Sequence, residues 1–135
     1  MEKQTYSYEE AFAKSLEYFN GDELAARVWV NKYAVKDSFG NIYEQSPEDM
    51  HWRLANEVAR IEAKYKNGLS AQQLFELFDH FKYIVPQGSP MTGIGNDFQV
   101  ASLSNCFVIG MDGEADSYGA IIRIDEEQVQ LMKRR

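Results

Sequence analysis

Cys106 is the only cysteine of the chain, and it stands in the run SLSNCFVIG. A thiol there is either a small buried hydrophobe or a redox group on a strand facing a cavity. Redox work needs a second thiol to close a disulfide, so the partner has to come from another chain or segment. Upstream, the run PQGSPMTGIGND offers glycines that let backbone N–H groups approach an anion. It matches neither GxxxxGK[ST] nor a well-placed GxGxxG, so it reads as a phosphate cradle or a plain connection. Asp116-Ser117 reads as a helix cap, or as a carboxylate accepting from a ribose hydroxyl. His51 and His80 read as surface or half-buried helix residues. Together with one Cys they are too few for a structural zinc site, so no metal is expected. Nothing in the spacing brings a His to Cys106, so no Cys/His or Ser/His/Asp site can be assembled.

Helices must position these groups. Tyr8, Phe12, Leu16 and Phe19 recur on one helical face, which predicts a helix over about 6–19, stopped by Asn20-Gly21. Asp22 caps a second helix to about Tyr33, with Leu24, Val28, Trp29 and Tyr33 as its stripe. Asp37-Ser38-Phe39-Gly40-Asn41 is a turn. Ser46-Pro47-Glu48-Asp49 opens a third helix, Ser46 capping and Pro47 at the first position. Met50, Leu54, Val58, Ile61 and Tyr65 line it to about Lys66. Ser70-Ala71-Gln72-Gln73 is a capping box for a fourth helix, with Leu74, Phe75, Leu77, Phe78 and Phe81 inward. From Val85 to Asp97 the chain is rich in Gly and Pro and reads as an irregular loop. Phe98 to Gly110 reads as one buried strand, and Asp116 as the cap of a last helix to Arg135. A lone strand cannot satisfy its backbone groups. It must pair near Tyr83–Val85 or Val35–Tyr43, or belong to a sheet completed elsewhere, and left uncovered its edge would drive self-association.

The chain has 135 residues, enough for one domain with a core. Its net charge of −7 opposes nucleic-acid binding, which draws on Lys and Arg against phosphates. No apolar run approaches the ~18 residues of a membrane helix. The opening MEKQTYSYEE lacks the apolar core of a signal peptide. A cytoplasmic protein is expected, with neither membrane nor nucleic acid as partner.

Several runs together resemble the large catalytic subunit of ribonucleotide reductase. They are SLEYFNGDELAARVWVNKYAVKD, VPQGSPMTG, SLSNCFVIG, DSYGAI and EEQVQLMKRR. The order of loop, strand, DS and helix is the specific part. The resemblance covers nearly all of this chain, but only the first part of the family's sequence, and it is closest to the adenosylcobalamin-dependent class II branch. A class I large subunit with a separate metal-containing radical subunit is the alternative branch. From a different class, a non-catalytic helical interaction module is the alternative function.

The resemblance implies a mainly α chain. Residues 1–82 would form an N-terminal helical domain. Residues 83–135 would hold the loop, the first strand of a ten-stranded α/β barrel, and a dimer-interface helix. It implies that the complete protein is a ribonucleoside-diphosphate reductase, making deoxyribonucleotides by a thiyl-radical route for DNA replication. Cys106 would be one of two redox cysteines. Ser89 and Asn105 would bind the ribonucleotide substrate. Asp116 and Ser117 would lie at the allosteric site for a deoxynucleoside triphosphate. Adenosylcobalamin as cofactor, a dithiol reductant such as thioredoxin, and a homodimer through the last helix follow from the same resemblance. The radical-bearing cysteine, its Asn and Glu partners, the second redox cysteine and a GG segment have no counterpart here, so this chain alone is expected to be inactive.

Overall fold

The computed structural model describes residues 4–111, 113 and 115–133. Among these described residues six α-helices follow one another: α1 Tyr8–Tyr18, α2 Glu23–Lys32, α3 Pro47–Glu62, α4 Ala71–Phe78, α5 Gly88–Gly93 and α6 Tyr118–Lys133. A single 3-10 turn, Asp79–Phe81, extends α4.

Local chemistry explains where these helices begin. Ser7 caps α1: its side chain accepts from the Glu10 N–H at 3.2 Å, and Glu10 accepts from the Ser7 N–H at 2.8 Å. This reciprocal box lies one residue past the expected start and satisfies two otherwise orphaned donors. Replacing Ser7 by alanine is expected to cost about 1 kcal/mol, read as a lower denaturation midpoint at unchanged slope. Asn20 (φ 53) and Gly21 (φ 89) end α1 in the left-handed region, as expected. Asp22 caps α2 by accepting from the Ala25 N–H at 2.9 Å. Ser70 and Gln73 form the expected capping box of α4. At α3, Pro47 takes the first turn, but Ser46 makes no side-chain cap bond. Asp49 instead reaches back to accept from the Gln45 N–H at 2.7 Å.

The helices pair as α1 on α2 and α3 on α4. Their core joins Ala11, Trp29, Val30, Met50, Leu54, Ala55, Leu74 and Phe78, with Ile42 from the 35–43 turn. Met91 and Ile94 fold back from the Gly/Pro-rich stretch to pack against it. Several expected core positions lie outside: Leu24 is 72% and Tyr65 66% exposed, while Ala11, Ser15 and Ala26 are fully buried.

Two expectations fail here. The stretch 85–97 is not wholly irregular, since it contains α5. And 98–110 is not a strand: among the described residues there is none, only isolated bridges of Ile42 with Tyr6 and with Lys36. The Val35–Tyr43 turn pairs with itself and with Tyr6, and the Tyr83 and Ile84 N–H groups go to the Leu77 carbonyl. Among the described residues neither forms a bridge with 98–110. Apolar, β-branched composition does not make a strand without a partner for its backbone groups. Among the described residues no helix is long and apolar enough to cross a membrane.

Candidate functional site

The fold brings the nominated residues of the loop and of the apolar run together. The Ser89 N–H donates to Asn105 Oδ1 at 2.7 Å, and Asn105 Nδ2 donates to Gln87 Oε1 at 2.6 Å. Ser89 is buried and Asn105 half-buried, so this bond is partly shielded from water. Cys106 follows directly. It is exposed rather than buried, and it lines a cavity of about 350 Å³ with Asn105, Phe107, Gln128, Leu131 and Met132. The last three come from α6, so the thiol faces a cleft between the 105–107 segment and that helix.

Asp116 and Ser117 are not part of this cluster. Ser117, not Asp116, caps α6: its hydroxyl accepts from the Ala120 N–H at 3.2 Å, and its carbonyl accepts from the Ile121 N–H at 3.1 Å. Lys133 is the last described residue of α6; Arg134 and Arg135, expected to end it, lie outside the described residues. α6 has no buried residue among those described, and Tyr118 (87% exposed), Ile122 and Met132 stand open on it.

Two polar residues that the sequence did not single out hold the loop. Glu44 is buried, accepts from the Val35 N–H at 2.9 Å, and pairs with Arg53 Nε at 2.6 Å. From α3, Arg53 Nη2 donates to the Met91 carbonyl at 2.8 Å and Nη1 to the Ile94 carbonyl. Sequence spacing gave one clue, since Arg53 follows Met50 by three on α3 and so flanks its apolar face.

A second polar cluster joins α1, α3 and the 3-10 turn. His51 is fully buried, against its expected place at or near the surface. It shares a helical face with Pro47, Leu54 and Ala55, which forces it inward. Tyr18 Oη lies 3.3 Å from His51 Nδ1 and 3.2 Å from Asp79 Oδ1, and accepts from the His80 N–H at 2.7 Å. With the Tyr18 O–H donating to Asp79 Oδ1, His51 Nδ1–H donates to Tyr18 Oη and the buried Nε2 keeps an unpartnered lone pair. Burial holds His51 down at about 4, against a smaller opposing pull from Asp79. Burial likewise raises the Tyr18 phenol. His80 takes φ 52, and its exposed ring pairs with Asp79 at 3.0 Å. Among the described residues no group of His, Cys, Asp or Glu is arranged to hold a metal ion.

No curated protein and no solved structure matches this chain. The family model described as ribonucleotide reductase, all-alpha domain, matches residues 19–92. That span holds α2 to α4, α5 up to Thr92, the Glu44–Arg53 pair and Ser89, but not Asn105, Cys106, Asp116 or Ser117. The match covers more than half of the chain, which therefore belongs to the ribonucleotide reductase family and carries the all-α N-terminal domain of its large subunit.

Proposed function

We propose that this chain forms the substrate-side corner of a ribonucleotide reductase catalytic chain, acting by the thiyl-radical route. The bond from the Ser89 N–H to Asn105 Oδ1 carries the reading. It joins the Gly/Pro-rich loop to the residue preceding the thiol, which is the juxtaposition a nucleotide would need between its phosphate and its reacting ribose. The Ser89 hydroxyl would then serve the phosphates and Asn105 the sugar. Overall, the 2′-hydroxyl leaves as water while two thiols close to a disulfide, which supplies two electrons and two protons. Cys106 provides one sulfur and a cysteine elsewhere in the enzyme the other. A dithiol of the thioredoxin kind reopens the bridge by exchange at the exposed sulfur.

We place Asp116 and Ser117, at the start of α6, on the side of the deoxynucleoside triphosphate effector. The open apolar residues of α6 suit pairing with a second copy. The class II branch implies adenosylcobalamin, which generates the radical when bound. The cavity at Cys106, about 350 Å³, and its neighbour along α6, about 510 Å³, are too small to enclose a corrinoid. No residue of this chain is assigned to that cofactor, and no step here runs through it.

The test is Asn105→Ala in the complete enzyme. The KM for ribonucleotide is expected to rise about tenfold, because loop and thiol lose their common anchor. An unchanged KM, with the protein folded, removes the reading.

A further inference from the structure

We propose that Arg53, aimed by the buried carboxylate of Glu44, is the positioning residue of the substrate loop. This inference rests on the reading of that loop just given. It starts from the accounting of α5. A six-residue helix leaves most of its carbonyls without partners inside the helix. Each of the last four finds one. Pro90 accepts from the Ile94 N–H and Gly93 from the Asn96 N–H. Thr92 accepts from Asn96 Nδ2 at 3.0 Å. Met91 accepts from Arg53, which reaches past the helix end to the Ile94 carbonyl as well.

The loop is thus pinned at both ends, by Asn105 at Ser89 and by Arg53 at Met91 and Ile94. The two anchors differ in origin. Asn105 belongs to the proposed site itself, while Arg53 belongs to the core helix α3. Arg53 therefore registers the loop against the rigid α3–α4 pair rather than against the substrate. Glu44 does the aiming. Its two oxygens take Arg53 Nε at 2.6 Å and Nη2 at 3.5 Å, which fixes the guanidinium plane. The two side chains are only 6% and 13% exposed, so water does not compete for the fork. A buried pair of this kind adds little net stability over apolar residues of similar size. Its distinctive product is direction, several donors set at fixed angles, which a lysine cannot reproduce. The loop is shaped to receive it. Gly95 has φ +69, and a Cβ there would stand 2.8 Å from Arg53 Cγ, so the backbone lies directly on the arginine stem.

Arg53 touches neither the thiol nor the proposed phosphate position, so it acts through the loop. The experiment uses the complete enzyme with Arg53→Lys, Arg53→Gln and Gly95→Ala. Amide hydrogen exchange over 88–96 is measured without nucleotide, and KM and kcat are measured with ribonucleotide. Exchange over 88–96 is expected to rise about tenfold in all three, while amides of α1 and α2 stay protected. KM is expected to rise about tenfold with kcat held within about threefold. If Arg53→Gln fails to fold, Arg53→Lys keeps the charge beside Glu44, and Gly95→Ala approaches the contact from the loop side. Unchanged exchange over 88–96 in Arg53→Lys and Gly95→Ala overturns the positioning role. Raised exchange with an unchanged KM means the loop is held by Arg53 but not for ribonucleotide. That outcome overturns the substrate half of this inference together with the reading of the loop beneath it.

Discussion

Replacing Cys106 by serine in the complete reductase is expected to lower steady-state, dithiol-supported reduction by at least about a hundredfold. The argument is one of electron count. Reducing one ribose takes two electrons, and two thiols supply them by forming one S–S bond. Serine keeps the size and hydrogen-bonding capacity of the side chain but cannot form that bond, so the partner cysteine has nothing to close on. Position matters as much as chemistry. Cys106 is exposed on the rim of a cleft, so the exchange removes no buried packing. Stability should move by less than about 0.5 kcal/mol, as for other surface substitutions. Ribonucleotide affinity should hold, because Ser89 and Asn105 are untouched. A large loss of turnover with intact folding and binding therefore reports on the redox step alone. Unchanged turnover with dithiol reductants would remove Cys106 from the reaction.

What could be read in the sequence divides along the range of the interactions. The caps of α2 and α4 are contained within four residues, and Asp22 and Ser70–Gln73 were legible as written. So was the Asp37 turn, where one carboxylate accepts from the Phe39 and Asn41 N–H groups at 2.9 and 3.0 Å. Ser7 shows how thin the margin is: its box has the same form as that of Ser70, yet the apolar pattern puts the helix start at about Tyr6, ahead of the cap. Long-range polar pairs left no comparable trace. Glu44 and Arg53 look like two ordinary surface charges until the turn folds over α3 and buries both. Tyr18 and Asp79 lie 61 positions apart, and only the packing of α1 against the end of α4 joins them. The run 98–110 failed in the opposite direction. Its composition suits a strand, but strand structure belongs to a pair of segments, and the candidate neighbours spend their backbone groups elsewhere. Val108, fully exposed, shows an apolar side chain without the sheet its type suggests. Ser89 and Asn105 lie 16 positions apart, and only the folding of the loop onto the 105–107 segment bonds them to each other.

Acid is expected to destabilise this fold well before its carboxylates protonate, and His51 is the cause. Burial holds the folded imidazole at about 4, against an ordinary value of 6.5. Between those values the unfolded chain binds a proton that the folded chain refuses, so stability rises with pH across the window and is lost as pH falls from 6.5 toward 4. The loss should reach about 2 kcal/mol between pH 7 and pH 5, a large fraction of a small domain's total. Groups around the ring act in both directions. Asp79 favours the charged imidazole, while His80 and Arg53 oppose it more weakly than burial does. Phe78 and Phe81 flank the ring, so a new N–H on Nε2 would meet aromatic carbon rather than an acceptor. The carboxylates whose folded values lie below the ordinary range, Asp37 and Asp79 among them, lose their contribution only at lower pH. The two phases should therefore separate in urea titrations run at successive pH values. His51→Leu isolates the first. Leucine fits among Phe78, Phe81 and Leu54, and Tyr18 still accepts from the His80 N–H and donates to Asp79. The variant should be flat between pH 6.5 and pH 4.5, where the parent chain has lost about 2 kcal/mol or more. Parallel slopes for the two proteins would mean that the acid sensitivity has another source, and that the buried imidazole takes up its proton without opening the junction of α1, α3 and α4.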